Sequence, residues 1–239
     1  MIYELFNALH LNSLYSAINR RLRPFAEVKR FTATNEVAGQ IQFELLKQVG
    51  CMPSSKVLEI GCGWLNAGTH IIAYLDKGNY VGIDPNEWLR NVAMKQNGVR
   101  QLINDKQARF LSVSDFDAST VGLKFDYIFA NSVMTHFAHW QLEQFLTNTA
   151  KVLEQNGRIL ASIRLAEGNA YGSKGSADKK DSMFKKWKNP GFSFFTLSTV
   201  VETAKKQGLV AEYKPEYTEF YKKGRPKACS DWILFYFKK

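Results

Sequence analysis

The sequence predicts an α/β fold: a doubly wound, mostly parallel sheet with helices ahead of it. Three observations lead there. Between Lys56 and Arg164, short apolar runs alternate with stretches of helical periodicity, the pattern of strands joined through covering helices. An apolar strand, Val57-Leu58-Glu59-Ile60, runs into a glycine-rich turn, Gly61-Cys62-Gly63, and a helix follows. The chain has 239 residues, 45% hydrophobic and 13% aromatic, enough to bury a substantial core in one large domain, or in one domain with an appended segment.

The elements follow in chain order. Residues 2–22 place Ile2, Leu5, Phe6 and Leu9, then Leu14, Tyr15, Ile18 and Leu22, at helical spacing. Residues 36–49 set Val37, Ile41, Leu45 and Leu46 on one side of a second amphipathic helix. These two helices give an expected N-terminal cap over 1–50, with the sheet-bearing domain over 51–239. Predicted strands are Val57–Ile60, Tyr80–Ile83, Arg109–Val113, Tyr127–Ala130 and Arg158–Ile163, and helices fit at 67–75, 87–97 and 139–153. Residues 165–191 are rich in Gly, Ser and Lys and poor in apolar side chains, so they read as a long, lid-like loop. A helix at 197–207, stopped by Gly208, precedes two more strands, Leu209–Tyr213 and Trp232–Phe237, with 214–228 as their connection.

Composition excludes several classes. No apolar run reaches the roughly 18 residues of a membrane span, and Met1-Ile2-Tyr3-Glu4 lacks the basic start of a secretory signal. The three cysteines, Cys51, Cys62 and Cys229, are an odd number without metal-ligand spacing, so neither a disulfide framework nor a metal site is expected. A cytoplasmic protein is the expectation. Residues 165–239 hold 15 basic and 8 acidic side chains, +7 of the chain's +10. A basic surface concentrates anions, whether phosphorylated metabolites, nucleic acid or anionic lipid. The apolar stripe of 2–22 followed by Arg20-Arg21-Leu22-Arg23 also allows peripheral membrane contact.

The turn after the first strand separates two nucleotide chemistries. Gly61 and Gly63 let backbone approach a ligand closely, and Asp84, ending the second strand before Pro85, stands where ribose hydroxyls are held. A dinucleotide fingerprint would continue G-x-G-x-x-G, yet position 66 is Asn and the next glycine is Gly68. Glu59, two residues before Gly61, places a carboxylate where a cationic ligand, not a pyrophosphate, gains from it.

Glu59-Ile60-Gly61-Cys62-Gly63, Asp84, Ser114-Asp115-Phe116 after the third strand and Phe125-Asp126 through Asn131 in the fourth together resemble the class I S-adenosylmethionine-dependent methyltransferases. The resemblance covers roughly residues 55–165. It implies a Rossmann-like seven-stranded sheet with an antiparallel last strand, and S-adenosylmethionine as cofactor. It further implies that Glu59 lies beside the methionine end, with Gly61, Cys62 and Gly63 as the floor. Asp84 and Pro85 then lie at the ribose, Ser114, Asp115 and Phe116 around the adenine, and Asn131 near the methyl donor. Trp64-Leu65 departs from the small residues usual after the second glycine. No Asn/Asp-Pro-Pro-aromatic signature follows the fourth strand, which disfavours methylation of base or glutamine amino groups.

Methyl transfer needs alignment of the nucleophile and exclusion of water, and a base only where the acceptor must lose a proton. His136, after the fourth strand, is the candidate base, and His139 a weaker one that fits a helix start better. Tyr171, Trp187, Phe192, Phe194, Phe195, Tyr217 and Tyr221 are available for an acceptor pocket, though Phe194 and Phe195 fit the core better. The expected activity is methyl transfer to an oxygen or nitrogen of a small, possibly anionic, acceptor by in-line displacement, by a monomer or homodimer. Two alternatives stay open: a nucleic-acid methyltransferase using the basic C-terminal surface, disfavoured because no RNA-binding module is recognisable, and a non-catalytic cofactor-binding or interaction protein of the same fold.

Overall fold

Alternate residues of each central strand point to opposite faces, and both faces are apolar, so the sheet must be covered on both sides. The computed structural model, which describes residues 37–171, 191–225 and 230–238, bears this out. Leu58 and Ile60 of β1 (Val57–Ile60) enter one buried cluster, and Val57 enters the other. The further strands are β2 (Tyr80–Ile83), β3 (Arg109–Leu111), β4 (Phe125–Ala130), β5 (Leu153–Ile163), β6 (Leu209–Tyr213) and β7 (Asp231–Phe237). Their spatial order is β3-β2-β1-β4-β5-β7-β6, parallel from β3 through β5, with β7 antiparallel to both neighbours. This is the expected seven-stranded, doubly wound sheet. Its order reverses between β1 and β4, and the carboxyl edge at that switch point is where such sheets open a ligand crevice.

The helices are α1 (37–48), α2 (Gly68–Tyr74), α3 (Glu87–Ala93), α4 (Val99–Asp105), α5 (His139–Val152), α6 (Leu197–Lys206) and α7 (Pro215–Gly224). Leu142, Phe145 and Leu146 of α5 and Val200 and Ala204 of α6 pack on the first face. Leu45 and Leu46 of α1, Ile71 and Ile72 of α2, Val99 and Ile103 of α4 and Tyr221 of α7 pack on the second. Ala38–Lys239 is one compact unit, so α1 belongs to the core that carries the sheet. The predicted helix over 2–22 lies outside the described residues.

Several elements differ from expectation: β5 starts at Leu153, ahead of the predicted Arg158, and β3 ends at Leu111, short of Val113, and two helices depart further. The helix predicted over 87–97 ends at Ala93, and a separate α4 starts after Gly98, whose φ of +76° breaks the run. Residues 215–224 form a helix, where a plain connection was expected. Pro215 preorganises its first turn, and Thr218 and Tyr221 bury its inner face against β7, with Tyr221 edge-on to Trp232 at 5.4 Å. Of the 165–191 loop, the two ends are described, and they are joined. The amide of Ala170 donates to Phe194 O (2.9 Å) and that of Phe195 to Arg164 O (2.9 Å). Residues 172–190, including Trp187, lie outside the described residues.

Candidate functional site

The turn after β1 is tied to the end of β2. The amides of Gly61 and Cys62 both donate to Ile83 O, at 2.7 and 3.1 Å. Asp84 then clasps the turn from the side: its Oδ2 accepts from the amide of Gly63 (3.0 Å) and its Oδ1 from that of Asn86 (2.7 Å). A carboxylate has about four acceptor positions, so Asp84 retains capacity for a diol. Pro85 beside it is exposed. Gly61 is required twice over. Its φ is +73°, and a Cβ there would stand 2.4 Å from Cγ2 of Val133. The Val133 side chain after β4 therefore closes over the turn with no room for one extra methyl.

Glu59 lies on the same face of β1 as Val57, the one that α1 and α2 cover, and is 5% exposed. The Tyr80 hydroxyl donates to its Oε2 at 2.5 Å, and Gly68 at the start of α2 makes room for that oxygen, which would stand 2.9 Å from a Cβ at position 68. Burial pushes the Glu59 carboxyl up to about 7, opposed by the Tyr80 hydrogen bond and aided by the nearby Asp84 carboxylate. Cys62 turns its thiol into the same core, against Gly82, and burial raises that thiol far above its ordinary range. It reaches the turn through its backbone alone.

Beyond β3, Ser114 is exposed and Asp115 half-buried, its Oδ1 accepting from the amide of Asp117 (3.2 Å). Phe116 is buried, its ring 5.1 Å from Phe137 and 5.6 Å from Phe145. Its side chain is core, which leaves Ser114 and Asp115 as the more open members of that trio. Asn131 Oδ1 accepts from the Ser162 hydroxyl (3.3 Å), and that hydroxyl accepts from the amide of Ser132 (2.7 Å). Leu65, Phe116 and Ser132 all hold positive φ, of 58°, 66° and 58°. Strained backbone of this kind gathers at functional sites, and these three follow β1, β3 and β4.

His136 ends a short 3₁₀ turn (Met134–His136) after β4. Its Nδ1 is 2.6 Å from Gly191 O, and because a carbonyl can only accept, that nitrogen carries the proton. Nε2 is left as the basic nitrogen. Burial and the positive Arg164 nearby hold His136 below its usual range, partly offset by the Gly191 hydrogen bond. The ring stacks on Phe192 at 5.3 Å, and the Arg164 guanidinium lies over the same ring at 3.7 Å. His139 sits apart from this group. It is exposed at the start of α5 and rests on Tyr171 at 5.3 Å.

Of the aromatics expected at an acceptor pocket, Phe192 stands beside His136, and Phe194 lies 5.7 Å from the Arg164 guanidinium. Tyr171 and Phe195 pack together at 5.3 Å, and Tyr221 and Tyr217 belong to the opposite core layer. Tyr80, Val133, Ser162 and Arg164 were not singled out from the sequence. Tyr80 and Val133 read there as ordinary apolar strand and loop positions, and Arg164 as the end of a strand. Among the described residues, no cluster of His, Cys, Asp and Glu could hold a metal ion.

Known proteins share this fold. Residues 58–159 match the model of a family described as a methyltransferase domain. Among solved structures, magnesium protoporphyrin IX methyltransferase from Synechocystis with bound S-adenosylhomocysteine superposes with a TM-score of 0.58 at 14% identity, covering 93% of this chain and 95% of that one. A TehB-like S-adenosylmethionine-dependent methyltransferase from Corynebacterium glutamicum gives 0.54 at 18% identity, covering 95% and 100%. A glycopeptide N-methyltransferase gives 0.57 at 10% identity, covering 84% and 90%.

Proposed function

We propose that this chain is a class I S-adenosylmethionine-dependent methyltransferase that methylates an oxygen or nitrogen of a small-molecule acceptor, a reading that the methyltransferase-domain match over residues 58–159 supports. The observation that carries the reading is the clasp between Asp84 and the Gly61–Gly63 turn at the sheet's switch point. The residues there suit the cofactor. The turn presents bare backbone, Asp84 offers acceptors to a diol, and Glu59 and Asp84 together disfavour a pyrophosphate, which would meet two carboxyls and no basic side chain between Gly61 and Gly68. When bound, S-adenosylmethionine supplies a methyl group activated by a positive sulfur.

The chain's own residues supply the rest. Asp84 orients the ribose, and the backbone of Gly61, Cys62 and Gly63 forms the floor. Glu59 favours the cationic end from behind the turn, and Ser114 and Asp115 border the adenine. Asn131, braced by Ser162, lines the approach after β4. Nε2 of His136 takes the acceptor's proton, since Gly191 fixes the tautomer and the depressed basicity keeps the ring neutral near pH 7. The charge borne by residues 165–239 favours an anionic acceptor over a neutral one.

Calorimetric titration of the purified chain with S-adenosylmethionine and S-adenosylhomocysteine, with NAD as control, tests the assignment. Binding of both sulfur ligands in the micromolar range and none of NAD is expected, and absence of binding to either would remove it. Asp84→Ala should weaken both by roughly tenfold, having lost the clasp and the diol acceptor. An unchanged dissociation constant would displace the ribose from this position.

A further inference from the structure

Arg164 follows the last residue of β5, at the carboxyl edge of the sheet and beside His136. Its guanidinium carbon lies over Phe192 and near Phe194, at 3.7 and 5.7 Å from the ring centres. Packing against a ring face does not use the N–H groups of a guanidinium, which lie in its own plane and stay available as donors. Among the described residues no carboxylate pairs with Arg164, and its Nε is buried with no hydrogen-bond partner. A cationic donor so placed is unfavourable until an oxyanion completes it. The same Phe192 ring carries His136, the base of the methyl-transfer reading on which this inference rests.

We propose that Arg164 is the anion-recognition residue of the acceptor site, binding a carboxylate or phosphate group of the acceptor and presenting the neighbouring nucleophile to His136. The guanidinium fork matches two oxygens of one oxyanion, as a single ammonium does not. Phe192 fixes the plane of the fork and, with Phe194, gives the acceptor's carbon skeleton an aromatic wall.

Protein labelled with ¹³C-histidine tests this, with the His136 ring resonance assigned by its loss in His136→Gln. Benzoate, phenyl phosphate and benzyl alcohol are titrated at about pH 7.5, where the ring is neutral. The anions should shift the His136 signal saturably and benzyl alcohol should not, and the tighter anion identifies the oxyanion as carboxylate or phosphate. Arg164→Gln should weaken the anion response about tenfold or more, and Arg164→Lys, which keeps charge and stem but loses the fork, by a smaller factor. An equal response to benzyl alcohol, or an unchanged anion response in both variants, overturns the proposal. S-adenosylhomocysteine affinity measured on the same samples separates the two readings. If it is retained in both variants, the fold is intact and any loss belongs to the anion site. If it is absent in the parent protein while the anion response persists, methyl transfer falls and the Arg164 site stands.

Discussion

Glu59 shows how burial sets the chemistry of one side chain. Among the described residues its carboxyl accepts from a single side-chain donor, Tyr80, and it lies in an apolar layer, so protonation is favoured up to about pH 7. Its folded value lies above the unfolded one, near 4.5, so folding is favoured by the proton it holds. That contribution is complete below pH 4.5 and is lost as pH rises through about 7. Glu59→Gln, whose carbonyl still accepts from Tyr80, should flatten the dependence of stability on pH between those limits. Urea unfolding of both proteins at several pH values reads the difference, and parallel curves would show that Glu59 ionises freely in the folded chain. The motif was legible as Glu-x-Gly-x-Gly, but the partner was not. Tyr80 lies 21 positions away, and only the parallel pairing of β1 with β2 brings its hydroxyl to Glu59.

At the level of elements, the turn after β1 and the segment after β4 are packed as one piece. Gly61→Ala forces a side chain into positive φ and into Val133, and should cost about 2–4 kcal/mol of stability by combining backbone strain with overpacking. Val133→Ala makes space without correcting φ, so the double variant should recover only the packing part. Chemical denaturation of the four proteins of this cycle measures the coupling, and strictly additive effects would mean that the contact is not made. The strands were read from their apolar runs within a few residues, because both faces of the sheet are buried. Helix α7 escaped notice because its sequence, Pro215-Glu216-Tyr217-Thr218-Glu219-Phe220-Tyr221, mixes polar and aromatic residues. Its helical character rests on burying Thr218 and Tyr221 against β7, a contact with no local sequence signal.

Across the whole molecule, a ligand held as proposed at the switch point would engage loops after β1, β2, β3 and β4 together, so its binding would stabilise the entire fold. S-adenosylhomocysteine at 100 times its dissociation constant should add about 2.7 kcal/mol, raising the melting temperature by roughly 5–10 °C for a chain of this size. A thermal scan with and without ligand checks this, and no shift at that saturation would contradict a site on the folded sheet. The sequence by itself determined the class of the fold and the glycine turn, and it pointed to a phosphate-free cationic cofactor, because these depend on residues a few positions apart and on period-two burial. Only the tertiary structure decided what faces what: Tyr80 on Glu59, Val133 over Gly61, Phe116 turned into the core, and Arg164 and His136 on one Phe192 ring. Each of these joins positions far apart in the chain, and their proximity is fixed by strand order and by the joining of the two ends of a long loop, which no local pattern encodes.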